Sequence, residues 1–305
     1  MARDLGLAGR PWRLSGWGAI PFAGYSFLFL AEDLGLLQPG GIRLQELRSN
    51  TDVLRALALG RLEAAALTLD EVLTGLHDGL PLKVVAVLDV SAGADAVMAR
   101  AGLSRPEMAR GKRVAVEGSA VGALMLSAFL ESAGLRPDDV RLVTTPLPET
   151  AAALRSGAAD LAVTAEPWVS QLEAAGAVRL FDSQEAPGRI VDVLAVRTDM
   201  LATRPDAIRG LVEAHFGALA RFQSDPRSVV ERLAAHLQVD AQDVPAAFRG
   251  LELPNRAANQ ALLAPGGRVA EGLPELAALL HRNGLIASPV DASALIDVRW
   301  LWGGA

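Results

Sequence analysis

Short apolar runs alternate with longer segments of helical period from about Arg13 to Val196. The apolar runs predict strands at Arg13–Trp17, Ile42–Leu47, Ala64–Thr68, Lys83–Leu88, Arg113–Glu117, Val140–Thr144, Leu161–Thr164 and Val191–Val196. The segments between them predict helices at Gly24–Leu34, Thr51–Leu59, Asp70–Asp78, Val121–Ala133, Pro148–Ser156 and Pro167–Ala174. This alternation predicts an α/β fold whose parallel sheets carry helices on both faces.

The pattern becomes almost wholly helical after Pro205. Helices are predicted at Pro205–Gln223, Asp225–His236, Ala241–Phe248, Asn255–Leu263 and Leu273–Asn283. Pro205 and Pro226 fit the first turn of a helix, where the missing N–H costs nothing.

An internal repeat relates two parts of the chain. The run Ala56-Leu57-x-x-Gly60-x-x-Glu63 recurs as Ala153-Leu154-x-x-Gly157-x-x-Asp160, at an offset of 97 residues. Gly60 and Gly157 suit helix ends, because a left-handed residue costs little only for glycine. Chance similarity between Ala-rich helices is the alternative, but the order of the surrounding elements agrees over both copies. The repeat therefore predicts two similar lobes.

The lobe boundaries follow from the repeat. We expect lobe one to comprise residues 10–91 and 192–305, with the C-terminal helices packed on it, and lobe two to comprise residues 96–187. Two crossovers, near 89–95 and 184–192, would form a hinge.

Composition excludes several classes of function. The 305 residues carry a net charge of −6, which argues against a nucleic-acid partner. The absence of cysteine excludes thiol chemistry and Cys-ligated metals, and the four scattered histidines form no metal-binding pair. We expect no metal, no cofactor and no catalytic residue. No apolar run is long enough to span a membrane, and no export signal is recognisable.

Several segments carry a family resemblance. They are Leu30-Ala-Glu-Asp-Leu-Gly35-Leu, Ala56-Leu-Ala-Leu-Gly60, Gly79-Leu-Pro-Leu-Lys83-Val-Val-Ala, Gly111-Lys-Arg-Val-Ala-Val116, Thr164-Ala-Glu166-Pro167-Trp168 and Arg204-Pro205-Asp206. In this order the chain resembles the nitrate, sulfonate, taurine and thiamine-precursor group of substrate-binding proteins of ABC transporters. The resemblance implies the type II periplasmic binding protein fold, with two Rossmann-like lobes joined by a two-crossover hinge. The cysteine-rich motif of the group's enzymatic relative is missing.

The resemblance also implies a function and a location. We expect a periplasmic or cell-surface monomer that captures a small organic ligand, sulfonate- or taurine-like or thiamine-precursor-like, and delivers it to an ABC permease and its ATPase. Contact with the membrane would be indirect, through the permease. An enzyme or an effector-sensing domain on the same fold is the alternative. A hydrolase would need a histidine at a strand end, and the pattern places none there.

Ligand-binding residues are expected in the loops that follow the carboxyl ends of the strands. The candidates are Ala19, Ile20, Pro21, Phe22, Ser49, Asn50, Thr68, Asp70, Asp95, Glu117, Ser119, Ala120, Thr145, Glu166, Trp168 and Asp192. Ser49, Asn50 and Ser119 precede or begin helices and suit an anion, or act only as helix caps. The carboxylates favour a ligand that also carries a positive group, and Trp168 could stack on it.

Overall fold

The computed structural model describes residues 17–19, 22–38 and 41–302, which form two β-sheets surrounded by helices. The strands are β1 Trp17–Ala19, β2 Leu44–Glu46, β3 Ala64–Thr68, β4 Leu82–Ser91, β5 Asp95–Ala99, β6 Arg113–Val116, β7 Arg141–Thr144, β8 Leu161–Ala165, β9 Val178–Asp182, β10 Val191–Arg197 and β11 Leu251–Glu252. The helices are α1 Ser26–Asp33, α2 Asn50–Ala58, α3 Leu69–His77, α4 Ala120–Ser132, α5 Leu147–Ser156, α6 Trp168–Ala174, α7 Met200–Thr203, α8 Pro205–Ser224, α9 Val230–Leu237, α10 Val244–Ala247, α11 Arg256–Leu263 and α12 Arg268–Arg282.

The two sheets repeat one topology. The first has the order β11-β4-β10-β3-β1-β2 and the second the order β7-β6-β8-β5-β9. In each, three parallel strands (β2-β1-β3 or β7-β6-β8) are followed by an antiparallel strand, β10 or β5. Strands β3 and β8 are offset by 97 residues, and Gly60 and Gly157 both have a positive φ, so the predicted duplication is confirmed.

The predicted parallel sheets contain parallel strands, but each sheet is mixed. Strand β10 runs antiparallel to both β3 and β4, and β5 runs antiparallel to both β8 and β9. The reason is the double crossover. The chain leaves one sheet and enters the other directly through β4–β5 and β9–β10, without the intervening helix that a parallel connection needs.

The fold is the predicted two-lobed arrangement. The first sheet takes strands from both sides of the segment that builds the second sheet, and the chain crosses between the sheets at residues 92–94 and 183–190. The proposed limits of the lobes remain a prediction, and residues 10–16 and 303–305 of lobe one lie outside the described residues.

The second sheet is covered on both faces. Val97 and Ala99 of β5 belong to an apolar cluster with α4, whereas Ala96 and Met98 belong to a cluster with α5 and α6. This assignment follows from the alternation of side chains along a strand.

The C-terminal helices complete lobe one. Residues of α8, α9 and α12 share one apolar cluster with α1, β3, β4 and β10. Asn259 of α11, wholly buried, accepts a hydrogen bond from Val87 N at 2.6 Å and donates to Val87 O at 2.9 Å. A side-chain amide thus satisfies the backbone of β4 and holds α11 against the strand.

Helix α4 connects the lobes. It begins in lobe two, yet Leu124 is buried in the apolar cluster of lobe one, and Ala120 packs against the same cluster. Ser127 Oγ also donates to Asn283 Oδ1 at 3.2 Å, just beyond α12. The lobes therefore share apolar and polar contacts away from the crossovers.

The pattern missed or displaced several elements. Strands β5, β9 and β11 were not predicted. Helix α12 begins at Arg268 rather than Leu273, because Pro274 is accommodated inside it. The predicted helix from Gly24 starts as a 3-10 turn, Ala23–Tyr25, before α1. The strand predicted at Arg13–Trp17 lies mostly outside the described residues, and β1 occupies Trp17–Ala19.

Candidate functional site: a cleft between the lobes

A cavity of about 810 Å³ opens between the two lobes. Lobe one lines it with Phe22, Glu46, Leu47, Arg48, Ser49, Asn50 and Thr51. Lobe two lines it with Glu117, Gly118, Ser119, Thr144, Thr145, Pro146, Leu147, Pro148 and Trp168. A volume of this size suits a small organic molecule enclosed from two sides.

Four helices present their N-terminal ends to this cavity. They are α2, α4, α5 and α6, from both lobes. Ser49 Oγ accepts a hydrogen bond from Asp52 N at 3.2 Å, and Ser119 Oγ accepts one from Gly122 N at 3.1 Å. Both hydroxyls therefore cap helices while they line the cleft. Helix N-terminal ends carry unpaired N–H groups and a partial positive charge, which favour an anionic group.

Aromatic and charged side chains complete the lining. Phe22 and Trp168 face the cavity from different lobes, and both are half-buried. Arg48 is the one arginine among the lining residues, and Glu46 and Glu117 add two carboxylates. The four histidines lie in α3, α8, α9 and α12, and none lines the cleft.

The structure brings only part of the predicted set together. Lining the cleft are Phe22, Ser49, Asn50, Glu117, Ser119, Thr145 and Trp168. Ala19, Thr68, Asp70, Asp95, Glu166 and Asp192 are buried away from the cavity surface, and Ala120 packs against lobe one. Ile20 and Pro21 lie outside the described residues. A role in ligand binding remains a prediction for all of them.

The candidate set omitted Glu46, Leu47, Arg48, Thr51, Gly118, Thr144 and the segment 146–148, which line the cleft. The repeat carries a signal for that segment. An offset of 97 residues places Pro146, Leu147 and Pro148 where the first lobe has Ser49, Asn50 and Thr51. Side-chain chemistry alone did not mark them, because none of the three carries a polar side chain.

Five buried carboxyl groups lie outside the cavity lining, in or directly after β3, β4, β5 and β10, and we call them the hinge acids: Asp70, Glu71, Asp89, Asp95 and Asp192. Asp192 pairs in register with both Thr68 and Asp89, so it stands between β3 and β4. The Tyr25 hydroxyl donates to Asp192 Oδ1 at 3.2 Å. Gly24 leaves room for the pair, because a Cβ there would lie 1.8 Å from Asp89 Oδ2 and 2.7 Å from Asp192 Oδ2.

Burial raises the pKa of every hinge acid. The pKa rises to about 7 for Asp70 and Asp89, to about 8 for Glu71 and to about 6 for Asp95. For Asp192, burial and then the neighbouring Asp89 charge raise the pKa well above its usual range. Desolvation disfavours the charged form, and like charges add to the effect. The cluster therefore holds protons near neutral pH.

Glu166 has a different environment beside Trp168. Its carboxylate accepts hydrogen bonds from Ser170 N at 3.0 Å and Ser170 Oγ at 2.8 Å. Arg249, from the C-terminal part, donates to Ser170 Oγ at 3.0 Å. Burial still raises the pKa of Glu166. Glu166 thus stabilises the first turn of α6, which begins at Trp168.

A matching family model identifies the chain. The model of the NMT1-like family covers residues 16–236, more than half of the sequence. The chain belongs to the NMT1-like family. Among curated proteins, this NMT1-like chain is 27% identical to the taurine-binding periplasmic protein of Escherichia coli (strain K12) over 213 residues. That alignment covers 66% of this chain and 66% of the relative, slightly under two thirds of its length.

Solved structures share the fold of this NMT1-like chain. The periplasmic aliphatic sulphonate binding protein SsuA from Escherichia coli superposes with a TM-score of 0.78 at 18% identity, covering 97% of this chain and 96% of that one. The alkanesulfonate-binding protein SsuA from Xanthomonas axonopodis pv. citri, bound to MOPS, gives 0.78 at 18% identity, covering 95% and 100%. The desulfurization enzyme DszB gives 0.67 at 21% identity, covering 94% and 96%. At these identities the likeness shows the fold alone.

Within the described residues, no group of three His, Cys, Asp or Glu residues is arranged to hold a metal ion. No helix within the described ranges is long and apolar enough to cross a membrane.

Proposed function

We propose that this protein is the extracytoplasmic solute-binding component of an ABC importer, and that it encloses an organic sulfonate between its lobes for delivery to a permease. The observation that carries the proposal is the convergence of helix N-termini from both lobes on one cavity. A sulfonate is a permanent anion that accepts several N–H donors at once, and helix ends supply such donors without a dedicated cation.

The remaining lining suits the organic part of such a ligand. Phe22, Leu147 and Trp168 supply apolar surface on opposite sides of the cleft. Arg48 lies in the loop just before α2 and adds one positive charge. The carboxylates of Glu46 and Glu117 are also compatible with a zwitterionic ligand, in which an amino group accompanies the sulfonate. The named ligands of the taurine- and sulfonate-binding relatives agree with this chemistry.

An enzymatic role is the second candidate, because the fold is shared with a desulfurization enzyme. The chemistry of the lining argues against it. The cleft residues include no histidine and no cysteine, so no side chain there forms a nucleophile–base pair of the usual kind. We therefore propose binding without turnover.

The test is a ligand panel measured by thermal shift and calorimetry. It comprises alkyl sulfonates of increasing length, taurine, nitrate and a pyrimidine. A sulfonate at a thousand times its dissociation constant should stabilise the protein by about 4 kcal/mol. If no sulfonate shifts the melting temperature, or if the purified protein releases sulfite from the sulfonate at enzyme-like rates, the proposal is wrong.

Two substitutions locate the bound ligand. Trp168→Ala should weaken sulfonate binding by about tenfold or more, since an aromatic contact is lost from the cavity wall. Trp302→Ala is its matched control, because Trp302 is exposed and lies outside the cleft. Arg48→Met should weaken binding of the sulfonate, whereas Arg55→Met, on the exposed side of α2, should not. Equal affinities across each pair would place the ligand elsewhere.

A further inference from the structure

The hinge acids lie in or directly beside strands of the two sheets. Asp70 and Glu71 lie in the first turn of α3, which follows the carboxyl end of β3 directly. Asp192 stands at the start of the antiparallel strand β10, beside that same end. Asp95 begins β5 and pairs with Ala165 at the carboxyl end of β8, in the second sheet. The cluster is therefore divided between the two lobes, with Asp95 on the side of lobe two.

None of the ion pairs formed within residues 17–19, 22–38 and 41–302 includes a hinge acid. The titratable groups that face the Asp89–Asp192 pair are Tyr25 next to α1, Glu71 on α3 and Asp95 on β5. All of them are acidic, so full ionisation would place like charges against one another in a buried site.

Two side chains connect the cluster to the cavity. Phe22 lines the cleft and packs edge-on against Tyr25, with 5.7 Å between ring centroids, and Tyr25 in turn donates to Asp192. Asn50 lines the cleft from α2, and its side chain is close enough to Glu71 to favour that group's ionised form. A rearrangement of the cleft therefore acts on the surroundings of the hinge acids.

We propose that closure of the cleft on its ligand is coupled to proton uptake by the hinge acids, so that capture is favoured at lower pH and release at higher pH. This inference rests on the proposed function, because it requires a ligand that closes the lobes. An opening rotation about the crossovers would separate Asp95 from the acids of lobe one and admit water to all five. Hydration stabilises carboxylates, so opening releases protons and closing takes them up.

The sign of the pH dependence follows from the pKa values. Burial raises the pKa of the hinge acids to between about 6 and about 8 in the arrangement described here, whereas hydrated carboxyl groups titrate near pH 4. Protonation therefore favours the buried arrangement, and the advantage is lost as pH rises through the raised values. A net uptake of one proton changes the dissociation constant by about tenfold per pH unit.

The experiment is calorimetry of the full chain with an alkanesulfonate, whose charge does not change between pH 5 and pH 9. Titration at pH 7 in phosphate and in Tris, buffers of different ionisation enthalpy, gives the number of protons exchanged on binding. We expect net uptake, and a dissociation constant that rises by about tenfold or more from pH 6 to pH 8. Tight binding with no proton exchange and a flat pH profile would overturn the inference and leave the proposed function intact. Absence of sulfonate binding at every pH would instead overturn the proposed function.

Variants assign the protons to the cluster. Asp89→Asn and Asp192→Asn each place a neutral side chain of similar shape in the pair, and each should reduce the proton uptake and flatten the pH profile while binding persists. Asp78→Asn, at the exposed end of α3, is the matched control and should leave both unchanged. Because the two-buffer titration needs only the unsubstituted protein, the inference stays testable if a variant does not fold. Unchanged proton uptake in both hinge variants would place the linkage elsewhere and contradict the assignment.

Discussion

Asp160 and the hinge acids all have little exposed surface, but Asp160 lies nearer the protein surface and has opposite surroundings. Asp160, just before β8, receives bonds from Arg113 Nε and Nη2 at 3.1 Å each and from Arg113 N at 3.1 Å, and Arg100 lies at 3.2 Å. The hydrogen bonds from Arg113 lower the pKa of Asp160. Within the described residues, no arginine or lysine forms an ion pair with a hinge acid, and burial raises the pKa of each acid instead.

The difference separates two uses of a buried carboxyl group. The Arg113–Asp160 pair joins the starts of β6 and β8, so its charge is compensated and it stabilises the second sheet at neutral pH. The hinge acids gain no such compensation, so they stabilise the fold only while protonated. The carboxyl group of Asp160 therefore stays ionised and stabilises its sheet, whereas the carboxyl groups of the hinge acids take up and release protons.

The largest expected effect comes from crowding the Asp89–Asp192 pair. Gly24→Ala would place a Cβ 1.8 Å from Asp89 Oδ2, and the short aspartate side chains cannot move aside without breaking their packing. We expect a loss of about 3 kcal/mol in the free energy of unfolding, measured in urea. Gly272→Ala in α12 is the control, because its Cβ would meet nothing within 4 Å, and it should be neutral or slightly stabilising. Equal stability of the two variants would show that the pair is not tightly enclosed.

The next effect is a pH dependence of opposite sign at the two sites. The pKa of Asp89 is raised to about 7, so its contribution to stability is present near pH 4 and is lost as pH rises toward 7. In the unsubstituted protein, Asp89 should lower the free energy of unfolding between pH 5 and pH 8. In Asp89→Asn this decrease should be smaller by about 2 kcal/mol. Asp160→Asn should destabilise at neutral pH, since the lowered pKa of Asp160 makes its contribution present above pH 4. The same slope of stability against pH in both variants would contradict the contrast.

The smallest effect on stability is expected from removing the charge of Arg113, which pairs with Asp160. Arg113→Met should lower the free energy of unfolding at pH 7 by a small amount. This is less than for a fully buried pair, because the Arg113 side chain is 41% exposed and Arg100 remains beside Asp160. Arg105→Met, at an exposed position without an ion pair in the described part of the chain, is the matched control. Urea denaturation of the two variants at pH 7 and at a pH well below 4 checks the prediction, and the difference between them should shrink at the lower pH, where Asp160 becomes protonated.

Much of the fold could be predicted because its signals are local or repeated. The runs of Ala64–Thr68 and Leu161–Thr164 contain almost only small or apolar residues, as buried strands do, and the glycines after α2 and α5 mark helix ends. Strand β5 was missed because Asp95–Ala99 follows β4 after only three residues, so no helix separates the two in sequence. The direction of β10 was equally invisible, since strand composition does not encode orientation.

The candidate site was predicted at the level of loops but not of side chains. The rule for carboxyl ends of strands selected Ser49, Ser119 and Trp168, which line the cleft. It also selected Asp70 and Asp192, which lie at the right edge but point into the buried cluster. Distinguishing these cases requires knowing which neighbour covers a side chain. Tyr25 and Phe22, which lie over Asp192, gave no such signal in the sequence.

Helix α4 affects the unfolding of the protein as well as the opening of the cleft. Leu124 belongs to lobe two by its place in the chain and to lobe one by its packing, where only 1% of its surface is exposed. Melting either lobe strips that side chain of its neighbours, so each lobe loses stability when the other unfolds. We therefore expect the chain to unfold in one cooperative step, in spite of its two sheets and its three separate apolar clusters.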